Sequence, residues 1–127
     1  MRLNRLLLDT HVFLWWRMDD GRLTLKVKRA IAEADVVFVS AASAWEAQIK
    51  ASLGKLTIPE PISVGVEKSG FEQLPIYFDH TEELGKLERH HNDPFDRILI
   101  AQALAEELTL VTHDKKLRPY GADFLWT

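Results

Sequence analysis

Asp9, Glu46, Asp96 and Asp114 are the side chains with which this sequence can do chemistry, and 105 positions (114 minus 9) separate the first from the last. Each has a simple structural use when taken alone. Asp9 follows "RLLL" and suits the cap of a helix opening at Thr10 and His11. Glu46 precedes Lys50 by four residues, the favourable order for an ion pair along a helix. Asp93 reads as an N-cap, and Asp96, three residues on, favours the same helix terminus through its dipole. Asp114 closes "LTLVTHD" in the manner of a turn residue.

Whether these acids act together depends on the elements that hold them. Four apolar runs read as strands: "RLLLD" at 5–9, "VVFVS" at 36–40, "LPIYF" at 74–78 and "LTLVT" at 108–112. They lack period-two alternation, as strands buried on both faces of a parallel sheet do. A last short strand is expected in "DFLW". Helical stretches separate the runs. "TLKVKRAIAEA" opens on Thr24 as N-cap and groups Leu25, Ala30 and Ala34 with Val27 and Ile31 on one side. "SAWEAQIKASLG" places Trp45, Ile49 and Leu53 at i, i+4 and i+8, with Gly54 at C′. "HTEELGKLERHH" is a more polar helix, and "DPFDRILIAQALAEE" has Asp93 at N-cap and Pro94 at N1 before an apolar stripe.

Strand and helix thus alternate along the chain, the pattern of a parallel sheet covered on both faces. In such a fold the carboxyl ends of the strands share one edge, where open α/β sheets bind their ligands. All four acids fall on that edge. Two carboxylates about 5 Å apart repel by roughly 3 kcal/mol at an effective dielectric of about 20, and four compound the cost. Such a cluster either holds protons or is neutralised by a cation. Oxygen ligands without cysteine or a spaced histidine pair point to Mg²⁺ or Mn²⁺, and the usual chemistry is attack of activated water on a phosphodiester.

Composition sets outer limits. The 127 residues fit one domain, residues 1–127, with no repeat, linker or low-complexity tract. With 46% hydrophobic and 28% charged residues, the chain has the balance of a globular protein. The absence of cysteine excludes a disulfide framework, a Cys-based zinc site and a thiol nucleophile. No apolar run reaches the roughly 18 residues that span a bilayer, and Asp9 interrupts the N-terminal run too early for a secretory signal. A cytoplasmic protein without membrane attachment is expected. The net charge of −3 means that any nucleic-acid footprint must be local.

The segments "LLLDTHVFLWW", "SAASAWEAQIK", "DPFDRILIAQALA" and "LTLVTHD" resemble, in order, the four acidic motifs of PIN-domain ribonucleases, in particular VapC-type toxins of toxin and antitoxin pairs. The resemblance implies a PIN-like α/β/α sandwich around a central parallel sheet of about five strands. It also implies an endoribonuclease site using Mg²⁺ or Mn²⁺, a small cognate antitoxin, and a homodimer. By position Asp9, Glu46 and Asp114 match the first, second and fourth acids. For the third, aligning the small residues Ala101 and Ala103 selects Asp96, with Asp93 as the competing register and otherwise a cap beside the ligands.

Around these acids, Thr10 and Thr112 are candidates to hydrogen-bond the ligand carboxylates. Arg97, Lys50 and Lys115, with Lys55, Lys116 and Arg118, are candidates to meet RNA phosphates. The five histidines lack an i, i+4 pair and read as surface or rim residues. Trp15, Trp16 and Trp45 fit helix faces in a core or a partner interface. Two other classes compete. A phospho-receiver module would use Asp79 as acceptor, but the chain has Thr10 where a second acid should follow Asp9. An inert PIN-like scaffold would have lost acids, and none is missing. A haloacid-dehalogenase phosphatase needs a second Asp two residues after Asp9, where His11 stands.

Overall fold

The computed structural model describes residues 4–127. Five strands, β1 (Arg5–Leu8), β2 (Val36–Ser40), β3 (Glu72–Leu74), β4 (Thr109–Thr112) and β5 (Phe124–Trp126), form a parallel sheet in the order β3-β2-β1-β4-β5. Between them run α1 (Thr10–Met18), α2 (Leu25–Glu33), α3 (Ala41–Ser52), α4 (Ile62–Lys68), α5 (Phe78–Lys86) and α6 (Pro94–Glu106), with a 3₁₀ turn at Lys115–Tyr120 before β5. Strand order reverses at β1, so the crevice beside its carboxyl end is where this topology places a ligand.

The sheet is buried on both sides. Leu6, Leu8, Val37, Val39 and Val111 face one core, shared with Val12, Phe13 and Trp15 of α1 and Val27 and Ile31 of α2. Leu7, Leu74 and Leu110 face the other, filled by Leu99, Ile100 and Ala103 of α6 and by Leu117. Successive residues of β1 are buried alternately in the two cores, which explains why its sequence shows no polar alternation. Caps fix the helix starts. Asp9, Thr24, Ser40 and Asp93 accept amides from the first turns of α1, α2, α3 and α6.

Four local expectations are corrected. The run at 74–78 is not a strand: β3 ends at Leu74, and Ile76, Tyr77 and Phe78 are exposed. Pro75 cannot donate to a ladder, and the chain turns there into α5. The following helix is correspondingly early and short, Phe78–Lys86, leaving His90 and His91 in a loop. On α3 the stripe of Trp45, Ile49 and Leu53 faces outward; Trp45 is 61% and Leu53 62% exposed, while Ala42, Ser43, Glu46 and Ala47 are buried. Small residues let α3 lie close to the sheet and α6, so the larger apolar residues point away. Leu25 is likewise exposed at the start of α2. Gly54 does occupy the left-handed C′ position, with φ +71°.

Helix α4 was not anticipated. It packs closely on α1 because Gly65 carries no side chain: a Cβ there would lie 3.1 Å from the Phe13 ring and 2.9 Å from Glu60 Oε1. Arg17 donates to that same Glu60 oxygen at 2.6 Å.

His80 is also not a rim residue. It is fully buried; its Nδ1 accepts the Tyr77 amide at 3.0 Å, so Nε2 carries the proton toward Glu106, 2.9 Å away. This histidine fastens the start of α5 to α6.

Candidate active site at the carboxyl edge of the sheet

The parallel register builds the centre of the site. Leu8 of β1 pairs with Val111 of β4 and Val39 of β2. The next residues, Asp9, Thr112 and Ser40, therefore emerge side by side. Asp9 continues the ladder through its amide, 3.0 Å from the Val111 carbonyl. Its Oδ1 accepts the Val12 amide at 2.8 Å and its Oδ2 accepts the Thr112 hydroxyl at 2.6 Å. Thr112 in turn accepts the Asp114 amide at 3.1 Å, tying the two acids to one hydroxyl.

Helices α3 and α6 bring the remaining acids. Glu46 is 5% exposed. Its Oε1 accepts the Thr10 hydroxyl at 2.7 Å and its Oε2 lies 2.7 Å from the Lys50 ammonium. Asp93 spends Oδ1 on the amides of Phe95 and Asp96, which turns Asp96 inward at N3. Asp114 Oδ1 accepts the Lys116 amide and caps the 3₁₀ turn. Asp9, Thr10, His11, Glu46, Lys50, Asp93, Asp96, His113 and Asp114 line one cavity of about 170 Å³.

The electrostatics follow from burial. Desolvation raises the Asp9 carboxyl above its ordinary pKa, against the lowering effect of the Thr112 and Val12 hydrogen bonds. Asp96 is pushed up to about 6, first by burial, then by the charge of Asp93, with Asp9 and Glu46 adding to it. Burial pulls the pKa of His11 down, partly offset by Asp9. Among the described residues, no three acid or imidazole groups close around a single point. The donors themselves are carboxylate oxygens in a protein without cysteine, a set that fits a hard divalent ion.

Other candidates fall elsewhere. Arg97 is buried, donating to the Glu88 carbonyl and the Tyr120 hydroxyl at 3.0 Å each, and is not presented to solvent. Lys115 is exposed on the 3₁₀ turn outside the cavity lining, and Arg118 lies over the Trp126 ring. Asp79, the acceptor of the receiver alternative, is exposed in the first turn of α5 and does not line the cavity.

Sequence reasoning placed His11, His91 and His113 only as surface or rim residues and did not single out Tyr120. His91 Nε2 lies 3.4 Å from Asp96 Oδ2, and its Nδ1 is 2.7 Å from the Tyr120 hydroxyl. Tyr120 thus gathers Arg97 and His91 behind Asp96, a link no local sequence signal gives. His113 stands 3.9 Å from Asp9 Oδ2 with its ring on Trp15, and His11 adjoins both rings. The triplets Asp9-Thr10-His11 and Thr112-His113-Asp114 were the available hint.

A parallel sheet of this order, with acids from the end of β1 and from α3 and α6 around one cavity at its carboxyl edge, two of them buried, defines a class of α/β protein with an acidic site. The chain belongs to the PIN domain family, whose model matches residues 6–122. It is 29% identical over 125 residues to Ribonuclease VapC22 of Mycobacterium tuberculosis (strain ATCC 25618 / H37Rv), covering 90% of each chain. Its fold is that of the solved DNA-bound VapBC from Salmonella typhimurium, with TM-score 0.72, 18% identity and coverage of 95% and 96%. VapBC2 from Rickettsia felis, bound to a DNA fragment from its promoter, is similar at TM-score 0.71 and 16% identity over 94% and 96%.

Proposed function

We propose that this chain is a PIN-domain endoribonuclease of the VapC toxin type, hydrolysing RNA phosphodiester bonds with a divalent ion, Mg²⁺ or Mn²⁺. The observation that carries this reading is the convergence of Asp9, Glu46, Asp96 and Asp114 on one cavity, two of them buried and two with raised pKa. VapC nucleases are generally divalent-metal dependent. In the bound state the ion would supply Lewis-acid activation of water and neutralise charge developing on the phosphate.

The chain's own residues divide the remaining work. Asp9 and Asp96 are assigned as direct ligands, with Glu46 and Asp114 completing the acidic cluster around the ion. Thr112 orients Asp9, Thr10 orients Glu46, and Asp93 fixes the helix turn that aims Asp96. Lys50 is the cation best placed to meet an RNA phosphate, and Lys115 is open to the backbone further out. Among the described residues no helix is long and apolar enough to cross a membrane. The assigned setting is the cytoplasm, as a homodimer held inactive by a small cognate antitoxin. The solved VapBC complexes support that partner.

The direct test is cleavage of total RNA by the purified chain with Mg²⁺ or Mn²⁺. Chelator should stop it, and Asp9→Asn and Asp96→Asn should be inactive while retaining the circular dichroism of the fold. Full activity in both variants would overturn the site assignment.

A further inference from the structure

The cavity that gathers the acids also holds a fixed positive charge. Lys50 reaches it from α3, one turn beyond Glu46, with its ammonium 2.7 Å from Glu46 Oε2. In an ordinary surface i, i+4 pair both partners are solvated, but here the glutamate side chain is 6% exposed and the lysine 34%. Glu46 is further fixed by the buried Thr10 hydroxyl. Each Glu46 oxygen thus already accepts a short hydrogen bond, one of them charge-assisted.

Five carboxylates line the cavity, Asp9, Glu46, Asp93, Asp96 and Asp114, and among the described residues Lys50 is its one ammonium. With both Glu46 oxygens taken by Thr10 and Lys50, a positive charge already stands where a second divalent ion would use that glutamate. Two-ion phosphodiester sites place their second cation against the phosphate oxygens. A lysine serves phosphate as a point charge, and this one is open on its solvent side.

We propose that Lys50 is the permanent second cation of this site, anchored by Glu46 and directed at a non-bridging oxygen of the scissile phosphodiester, so that each chain takes one divalent ion. Glu46 then serves as the seat of the lysine and not as a direct ligand. This rests on the nuclease reading above.

The test counts Mn²⁺ on the full chain without RNA, by the free-ion electron paramagnetic resonance signal, in wild type, Lys50→Met and Lys50→Arg, and measures RNA cleavage by the same proteins. The expected result is one Mn²⁺ per wild-type chain. Lys50→Met should bind Mn²⁺ about 10-fold more tightly, because a competing positive charge is gone. Its kcat/KM should fall about 100-fold, with Lys50→Arg restoring a large part. Two Mn²⁺ per wild-type chain, an unchanged Mn²⁺ affinity in Lys50→Met, or cleavage by Lys50→Met within about threefold of wild type would each overturn the proposal. Failure of the nuclease reading shows differently, as no RNA cleavage by the wild-type chain with Mg²⁺ or Mn²⁺, and the Mn²⁺ count and the Lys50→Met affinity then still decide the role of Lys50.

Discussion

The two edges of the sheet carry acids in opposite conditions. At the amino edge, Glu107 and Asp123 border a cavity of about 500 Å³ beside the starts of β1, β4 and β5, and both are exposed. At the carboxyl edge the cavity is only about 170 Å³, yet Asp9 and Glu46 are buried and Asp96 is largely withdrawn from water. Cavity size therefore points to the wrong edge. What marks the proposed functional edge is carboxylate charge held out of water, which costs free energy unless a cation accompanies it. Solvated acids at the amino edge carry no such cost.

The sharpest way to break that comparison is to neutralise one acid on each edge. Asp9→Asn should lower RNA cleavage by about 1000-fold or more, since it removes a ligand and the partner of Thr112, whereas Asp123→Asn should leave cleavage within about twofold. Comparable losses at both edges, in a cleavage time course, would remove the distinction. Asp114→Asn should weaken Mn²⁺ binding less than Asp9→Asn does, because Asp114 already caps the 3₁₀ turn. Parallel titrations decide that ranking.

Smaller effects probe the supports. Tyr120→Phe removes the hydroxyl shared by His91 and the buried Arg97. It should destabilise the fold by about 1–2 kcal/mol in urea unfolding and reduce cleavage about 5- to 10-fold through a loosened Asp96.

The raised Asp96 pKa also predicts a pH dependence. Between the ordinary value of 3.8 and about 6 the folded state binds the proton that the unfolded chain releases, so metal-free stability falls as pH rises through that window. Mn²⁺ must displace the same proton, so its affinity should rise over the same interval and level off above it. Asp96→Asn should flatten the stability profile and stabilise the metal-free fold at pH 7 by on the order of 1 kcal/mol. Trp45→Ser, at an exposed site, should shift unfolding by no more than about 0.5 kcal/mol.

Much of this was legible in the chain because its signals are local. Asp93 and Pro94 declared the start of α6, and Thr24 that of α2, since a cap needs only a side chain and an amide a few residues on. Lengths and faces were less legible. The apolar run 74–78 contains Pro75, and Trp45, Ile49 and Leu53 have helical spacing without the burial that spacing suggests. Which stripe of α3 turns inward is set by how closely β2 and α6 approach it, and Ala42 and Ala47 allow that approach.

Sequence by itself determined the alternating α/β pattern, the four candidate acids, and the place of Asp9, Asp96 and Asp114 at strand and helix ends. These depend on residue type and short-range hydrogen bonding. Only the tertiary structure decided which groups meet: Thr112 on Asp9 across 103 positions, Thr10 on Glu46, Tyr120 behind His91 and Asp96, and Lys50 within the acid cavity. Such contacts follow from strand register and helix packing, and burial then fixes how strongly each charge is felt.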